Sequence, residues 1–224
     1  MDDALGSRIS DCLHGPSDGP PQYSTSLEPN GEAEDMAAPA RKNAKMGSET
    51  ANELLNGWTR KRRTLLRFIR PGDVFCFTRN DGSFYFGQII SKALVGHCVQ
   101  IFDVCRHAPE IGKSELQQAQ AKVSIPPIIL DSYAIFDRKV DDHGDWRVIG
   151  KLGTGDISRF ESYFFCYGGE RNWKKINAMG SDEQPIPDEA AMTLEPLIAL
   201  TSFKFWLSFD AFRASGRRSW SHQF

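Results

Sequence analysis

The sequence has no Cys-x-x-Cys pair, no basic leader followed by an apolar stretch, and no apolar run long enough for a bilayer. The longest candidate, Leu197 to Phe212, is broken by Lys204 and Asp210, whereas a spanning helix needs about 20 apolar residues. The five cysteines are odd in number, and three sit in apolar runs, as expected of buried thiols in a reducing compartment. A cytoplasmic protein is therefore expected. Catalytic signatures are equally scarce. His-Glu-x-x-His, Gly-x-Ser-x-Gly, a P-loop, Gly-x-Gly-x-x-Gly and a His-x-His pair are all absent. With 224 residues and no His-x-His pair, the chain does not match a large metal-dependent barrel. A net charge of −2 lacks the basic excess of a nucleic-acid binder, so neither nucleic acid nor membrane is expected as partner.

What is present is unevenly spread. Residues 1–40 carry eight acids against Arg8, whereas residues 41–70 carry nine bases against Glu49 and Glu53. Residues 1–47, with Pro16, Pro20, Pro21, Pro29 and Pro39, read as a disordered acidic tail that cannot bury enough surface to offset chain entropy. Met46 stands just before a helix-start signal and is the expected initiator or domain start. Thr50-Ala51-Asn52-Glu53 reads as a capping box. Leu54, Leu55, Trp58, Leu65, Leu66 and Ile69 recur at helical spacing, with Arg60 to Arg67 on the other face, so an amphipathic helix ending at Pro71-Gly72 is predicted.

Strands are predicted over 74–78, 84–91 and 97–104, the first two joined at Asn80-Asp81-Gly82. A helix over 114–122, an extended 128–130, a strand over 145–151 and a hairpin through Gly168-Gly169 follow. The fold class is α+β: a curved, mainly antiparallel sheet carrying the N-terminal helix and one further helix. The domain is expected over 48–177. Residues 178–224 read as a linker and an apolar extension that either docks on the core or is an appendage.

Two constellations are candidates for chemistry. Asp131, Asp137, Asp141, Asp142, His143 and Asp145 offer carboxylates and an imidazole suited to a divalent cation. Asp137, Asp141, His143 and Asp145 are the candidate metal ligands, and His97, Asp103 and Asp131 the candidate catalytic groups. The plainer readings are a polar turn at Asp-Asp-His-Gly and a helix cap at Asp131-Ser132. His97 and Asp103 lie about 20 Å apart on one strand and cannot form a dyad with each other. His97 and Cys98 point to opposite faces, so the thiol reads as structural. Trp146, Trp173 and Tyr163 read as core or edge aromatics, and the Arg60 to Arg67 run as a solvated face.

Several blocks in order carry a resemblance: Gly57 to Arg67, Arg70-Pro71-Gly72-Asp73-Val74-Phe75, Phe86-Gly87-Gln88-Ile89-Ile90, Ile129-Leu130-Asp131-Ser132-Tyr133, Gly144-Asp145-Trp146-Arg147-Val148-Ile149-Gly150 and Asn172-Trp173-Lys174-Lys175. Over about Leu54 to Asn177 the chain resembles the bacterial family catalogued both as immunity protein 26 and as the HocA-type phosphotriesterase. The second name implies a hydrolase of organophosphate triesters; such a catalyst would want a metal or a hydrogen-bond donor at the phosphoryl oxygen and an apolar pocket for the ester arms. That reading is placed first. The first name implies a protein that occludes a cognate toxin and needs no catalytic residues; Asp131 to Asp145 would then be an acidic surface imitating nucleic acid. The resemblance carries no agreed catalytic residues. A monomer is expected under either reading.

Overall fold

A computed structural model describes residues 53–121, 125–140, 143–156 and 158–215, all within the compact unit Asn52–Phe224. The acidic tail, Met46, most of the Thr50 capping box and the two carboxylates Asp141 and Asp142 lie outside the described residues.

In chain order the elements are β1 (Leu54–Leu55), β2 (Asp73–Thr78), β3 (Phe84–Ala93), β4 (Gly96–Arg106), β5 (Ile111–Gly112), α1 (Lys113–Ala121), β6 (Ile128–Leu130), a π-helical turn (Tyr133–Arg138) and β7 (Asp145–Lys151). They continue as α2 (Ser158–Glu161), β8 (Phe164–Tyr167), β9 (Trp173–Asn177), β10 (Glu183–Ile186), α3 (Asp188–Ala191), β11 (Glu195–Pro196) and α4 (Ser202–Ser215). The main sheet runs β6-β4-β3-β2-β7, with every neighbouring pair antiparallel. A second sheet runs β10-β9-β8-β11, and β1 pairs with β5. The class is thus mixed α+β and dominated by strands.

β2 is apolar at successive positions because both faces of the sheet are covered. Phe75 and Phe77 enter an aromatic cluster with Trp146, Phe205, Trp206 and Phe209, whereas Val74 and Cys76 face a second cluster with Leu55, Phe86, Phe102, Ile111 and Leu116 of α1. Phe77 stacks on Trp146 with ring centroids 4.4 Å apart; such pairs add about 0.5–1.5 kcal/mol beyond burial. Gly87 is required by close approach, since a Cβ there would strike the Phe75 ring and the Gln100 carbonyl. Cys98 packs with Ile90, Phe160 and Phe165 in a third cluster. The four described cysteines form no disulfide.

The predicted N-terminal helix is corrected. Its described residues form β1, a 3-10 turn at Gly57–Thr59, an extended stretch and a second 3-10 turn at Leu66–Phe68. Two of their donors go to distant partners: the Thr64 N–H to the Phe136 carbonyl at 3.0 Å and the Leu66 N–H to Asp137 at 2.9 Å. Tertiary hydrogen bonds here outweigh helical spacing. At the other end, α4 brings Phe205, Trp206 and Phe209 into the aromatic cluster. The docked arrangement is therefore found for the apolar segment 202–215.

Candidate functional site

Asp145 opens β7 directly after Gly144, whose φ of +95° turns the chain against the Thr78 carbonyl, where a Cβ would collide. Its side chain is 9% exposed. Oδ2 accepts from Arg147 Nε at 2.9 Å and Nη2 at 2.6 Å, and Oδ1 from Lys139 Nζ at 3.3 Å. Arg62 stands 3.5 Å away. Burial works against the charge, but these cations outweigh it and hold the carboxyl below the usual aspartate range. The Lys139 amine is lowered, chiefly by burial, with Asp145 opposing. Arg147 also lies 4.5 Å over the Trp58 ring and donates to the Trp58 carbonyl at 2.6 Å. The preceding turn is held by Trp206, whose indole N–H donates to the His143 carbonyl at 2.8 Å, while the His143 ring lies 4.9 Å from Phe203.

Asp137 sits on the π-helical turn. Oδ1 accepts from Arg63 Nε at 3.0 Å and Nη2 at 2.6 Å, and Oδ2 from the Leu66 N–H. The backbone N–H first, then Arg63, holds this carboxyl low. Asp131 caps the same turn, accepting from the Ala134 N–H at 3.0 Å. The carboxylates of Asp137 and Asp145 are thus engaged by cations, so an acidic surface over 131–145 is corrected for these two residues. Among the described residues no three His, Cys, Asp or Glu side chains gather where they would hold a metal.

A cleft of about 580 Å³ opens beside the π-helical turn. Its apolar wall is Leu65, Leu66 and Ile69, and Tyr133 closes one side. Arg67, Arg70, Lys92, His97 and Asp137 supply its polar lining. His97 is set by β4, opposite Lys92 of β3 and Leu130 of β6, and is 3% exposed. Burial, then Lys92 and Arg70, lower its pKa to about 4, so the imidazole is neutral near pH 7. Its Nδ1 has no hydrogen-bond partner among the described residues.

The structure therefore brings two sequence candidates, His97 and Asp137, to one cleft. Asp103 is exposed farther along β4, Asp131 is spent on the turn, and Asp145 and His143 lie at the β7 corner. Sequence reasoning missed Arg67, Arg70, Lys92 and Tyr133 as cleft residues. The basic run was visible, but only the turns at 66–68 and 133–138 bring it against β3 and β4.

Fold and geometry define a strand-dominated α+β domain with one corner of saturated ion pairs and an open, cation-lined cleft. Residues 70–177, slightly under half of the chain and spanning β2 to β9, match the model of the family described as Immunity protein 26. No curated protein and no solved structure matches the chain. The match supports the immunity-protein side of the resemblance. It overturns the hydrolase and phosphotriesterase assignment, for which no finding speaks.

Proposed function

We propose that this protein is an immunity protein that binds a cognate bacterial toxin and neutralises it by occlusion. The observation that carries the reading is the Immunity protein 26 match over residues 70–177. That segment includes all five strands of the main sheet together with Arg70, Lys92, His97, Tyr133 and Asp137 of the cleft. Occlusion asks for a stable surface, not for an activated water or nucleophile. The spent carboxylates at Asp137 and Asp145 are consistent with that demand. Arginine and aromatic side chains beside apolar walls are also the residue types that dominate binding energy at protein interfaces.

The test is co-expression with each candidate toxin gene found in the neighbourhood of this one. Growth arrest by the toxin alone, restored by this chain, and a saturable 1:1 complex in calorimetry are expected. Rescue that fails while both proteins are soluble, with no heat of binding, would sink the reading.

A further inference from the structure

The cations of the cleft exceed its acids. Its carboxylate, Asp137, is already covered by Arg63 and the Leu66 N–H. Among the described residues neither Arg67 nor Lys92 has a carboxylate partner; Arg67 only lies 5.0 Å over the neighbouring Phe68 ring. Arg70 turns one guanidinium N–H back to the Ile69 carbonyl at 3.2 Å. Arg70 also feels Asp73, which accepts from its backbone N–H at 2.7 Å, so Arg67 and Lys92 are the two cations of the apolar-walled space without a carboxylate partner among the described residues.

A second observation is independent of that charge count. His97 belongs to the cleft lining, is almost wholly buried, and leaves Nδ1 without a partner among the described residues. Buried polar atoms are nearly always satisfied, so a lining imidazole whose shielded nitrogen lacks a partner marks a wall that a small side-chain shift would let a ligand satisfy. The rim adds a third. Phe68 is 59% exposed and Tyr133 47% exposed, large apolar surface placed next to arginine. The volume suits one side chain with its flanking contacts rather than a whole folded segment.

We propose that this cleft is the docking site for an acidic side chain of the protein partner, its carboxylate meeting Arg67, Arg70, Lys92 and His97 while apolar neighbours of the acid cover Phe68 and Tyr133. The chemistry of the cleft stands on its own lining. That the acid belongs to a toxin rests on the function proposed above. Cations in a low-polarity wall reward a carboxylate more than a neutral isostere, because the alternative is to leave them uncompensated.

Two arms separate these claims. In the first, the full chain, isotope-labelled at histidine and tyrosine, is titrated with the blocked dipeptide N-acetyl-Glu-Phe-amide, its Gln counterpart, and inorganic phosphate. Saturable shifts of the His97 and Tyr133 ring signals are expected with the Glu peptide alone, and their loss in Arg67→Glu/Lys92→Glu. Equal shifts with the Gln peptide, or unchanged shifts in the double variant, overturn the site. Equal shifts with phosphate mark a small-anion site and overturn the side-chain assignment.

In the second arm the double variant is measured against the toxin that the co-expression test identifies. Weakening by about 30-fold or more is expected, at unchanged Tm. Unchanged affinity beside tight wild-type binding removes the toxin as the source of the acid. If the wild type binds no toxin, the functional reading falls, and the peptide arm alone decides the cleft. Arg67→Gln/Lys92→Gln, which adds no charge, repeats both arms should the reversal disturb folding.

Discussion

The corner around Asp145 and the cleft around His97 are built from the same kinds of residue, with opposite balance. At the corner one buried carboxylate meets Arg147, Lys139 and Arg62, and each oxygen has a donor. At the cleft three cations face a carboxylate already engaged elsewhere, and a buried imidazole nitrogen has no partner among the described residues. The first arrangement is what a group looks like when its work is to hold the fold. The second leaves capacity for something outside the chain. Both would read as charge clusters in a sequence; only the count of donors against acceptors tells them apart.

The sharpest way to break the contrast is at the support of the corner. Trp206→Ala removes an indole from the aromatic cluster and the donor to the His143 carbonyl. Calorimetric unfolding should show a loss of about 3–5 kcal/mol. A loss under about 1 kcal/mol would mean that α4 contributes little to the core.

Asp145→Ala strands Arg147 and Lys139 without their buried acid. Denaturant unfolding should report a loss of about 3 kcal/mol. Without such a loss, the corner would not be the structural half of the comparison.

Acid separates the two regions by pH window. The folded pKa of His97 lies below its unfolded value, so the unfolded state binds the extra proton. Stability is then full above about pH 6.5 and declines as pH falls towards about 4. The expected decline is roughly 2 kcal/mol after allowance for solvent screening. Asp145, also lowered when folded, contributes in a different window: its share is present above the unfolded carboxyl value and is lost as pH falls below it. His97→Phe should flatten the upper window alone in a pH series of unfolding curves. A slope that persists there would place the titrating group elsewhere.

The smallest effect is expected at the rim. Arg67→Gln and Lys92→Gln should change stability by no more than about 0.5 kcal/mol, since neither has a carboxylate partner among the described residues. A larger loss in thermal unfolding would show that these cations serve the fold after all.

Much of the sheet was legible because its signals are local. Asn80-Asp81-Gly82 joins β2 to β3, Gly168-Gly169 lies between β8 and β9, and both hairpins lie within a few residues of expectation. The stretch 54–69 misled for a physical reason. Leu54, Leu55, Trp58, Leu65, Leu66 and Ile69 have helical spacing, yet Gly57 sits so close to the Ile149 backbone that a Cβ would not fit, and Leu55 packs on Gly150. Arg63 and Leu66 are then drawn to Asp137. Helix α4 was illegible for the opposite reason. Phe203 and Leu207 are exposed while Phe205, Trp206 and Phe209 are buried, so apolar residues on both sides erase the period. Of the candidate site, His97 and Asp137 were visible as chemistry. Their shared cleft was not, because it depends on β4 meeting a π-helical turn far along the chain.

One small contact has a larger consequence. Leu200 pairs in parallel with Leu130, its N–H donating to the Ile129 carbonyl and its carbonyl accepting from the Asp131 N–H, both at 2.9 Å. β6 is one of the two edge strands of the main sheet, and an unsheltered margin of that kind is a template on which other chains add. Leu200 therefore acts as a stopper on polymerisation as well as a link to α4. Leu200→Pro, which removes the N–H donor to Ile129 while keeping α4, would loosen that cover, and its failure would be seen as self-association.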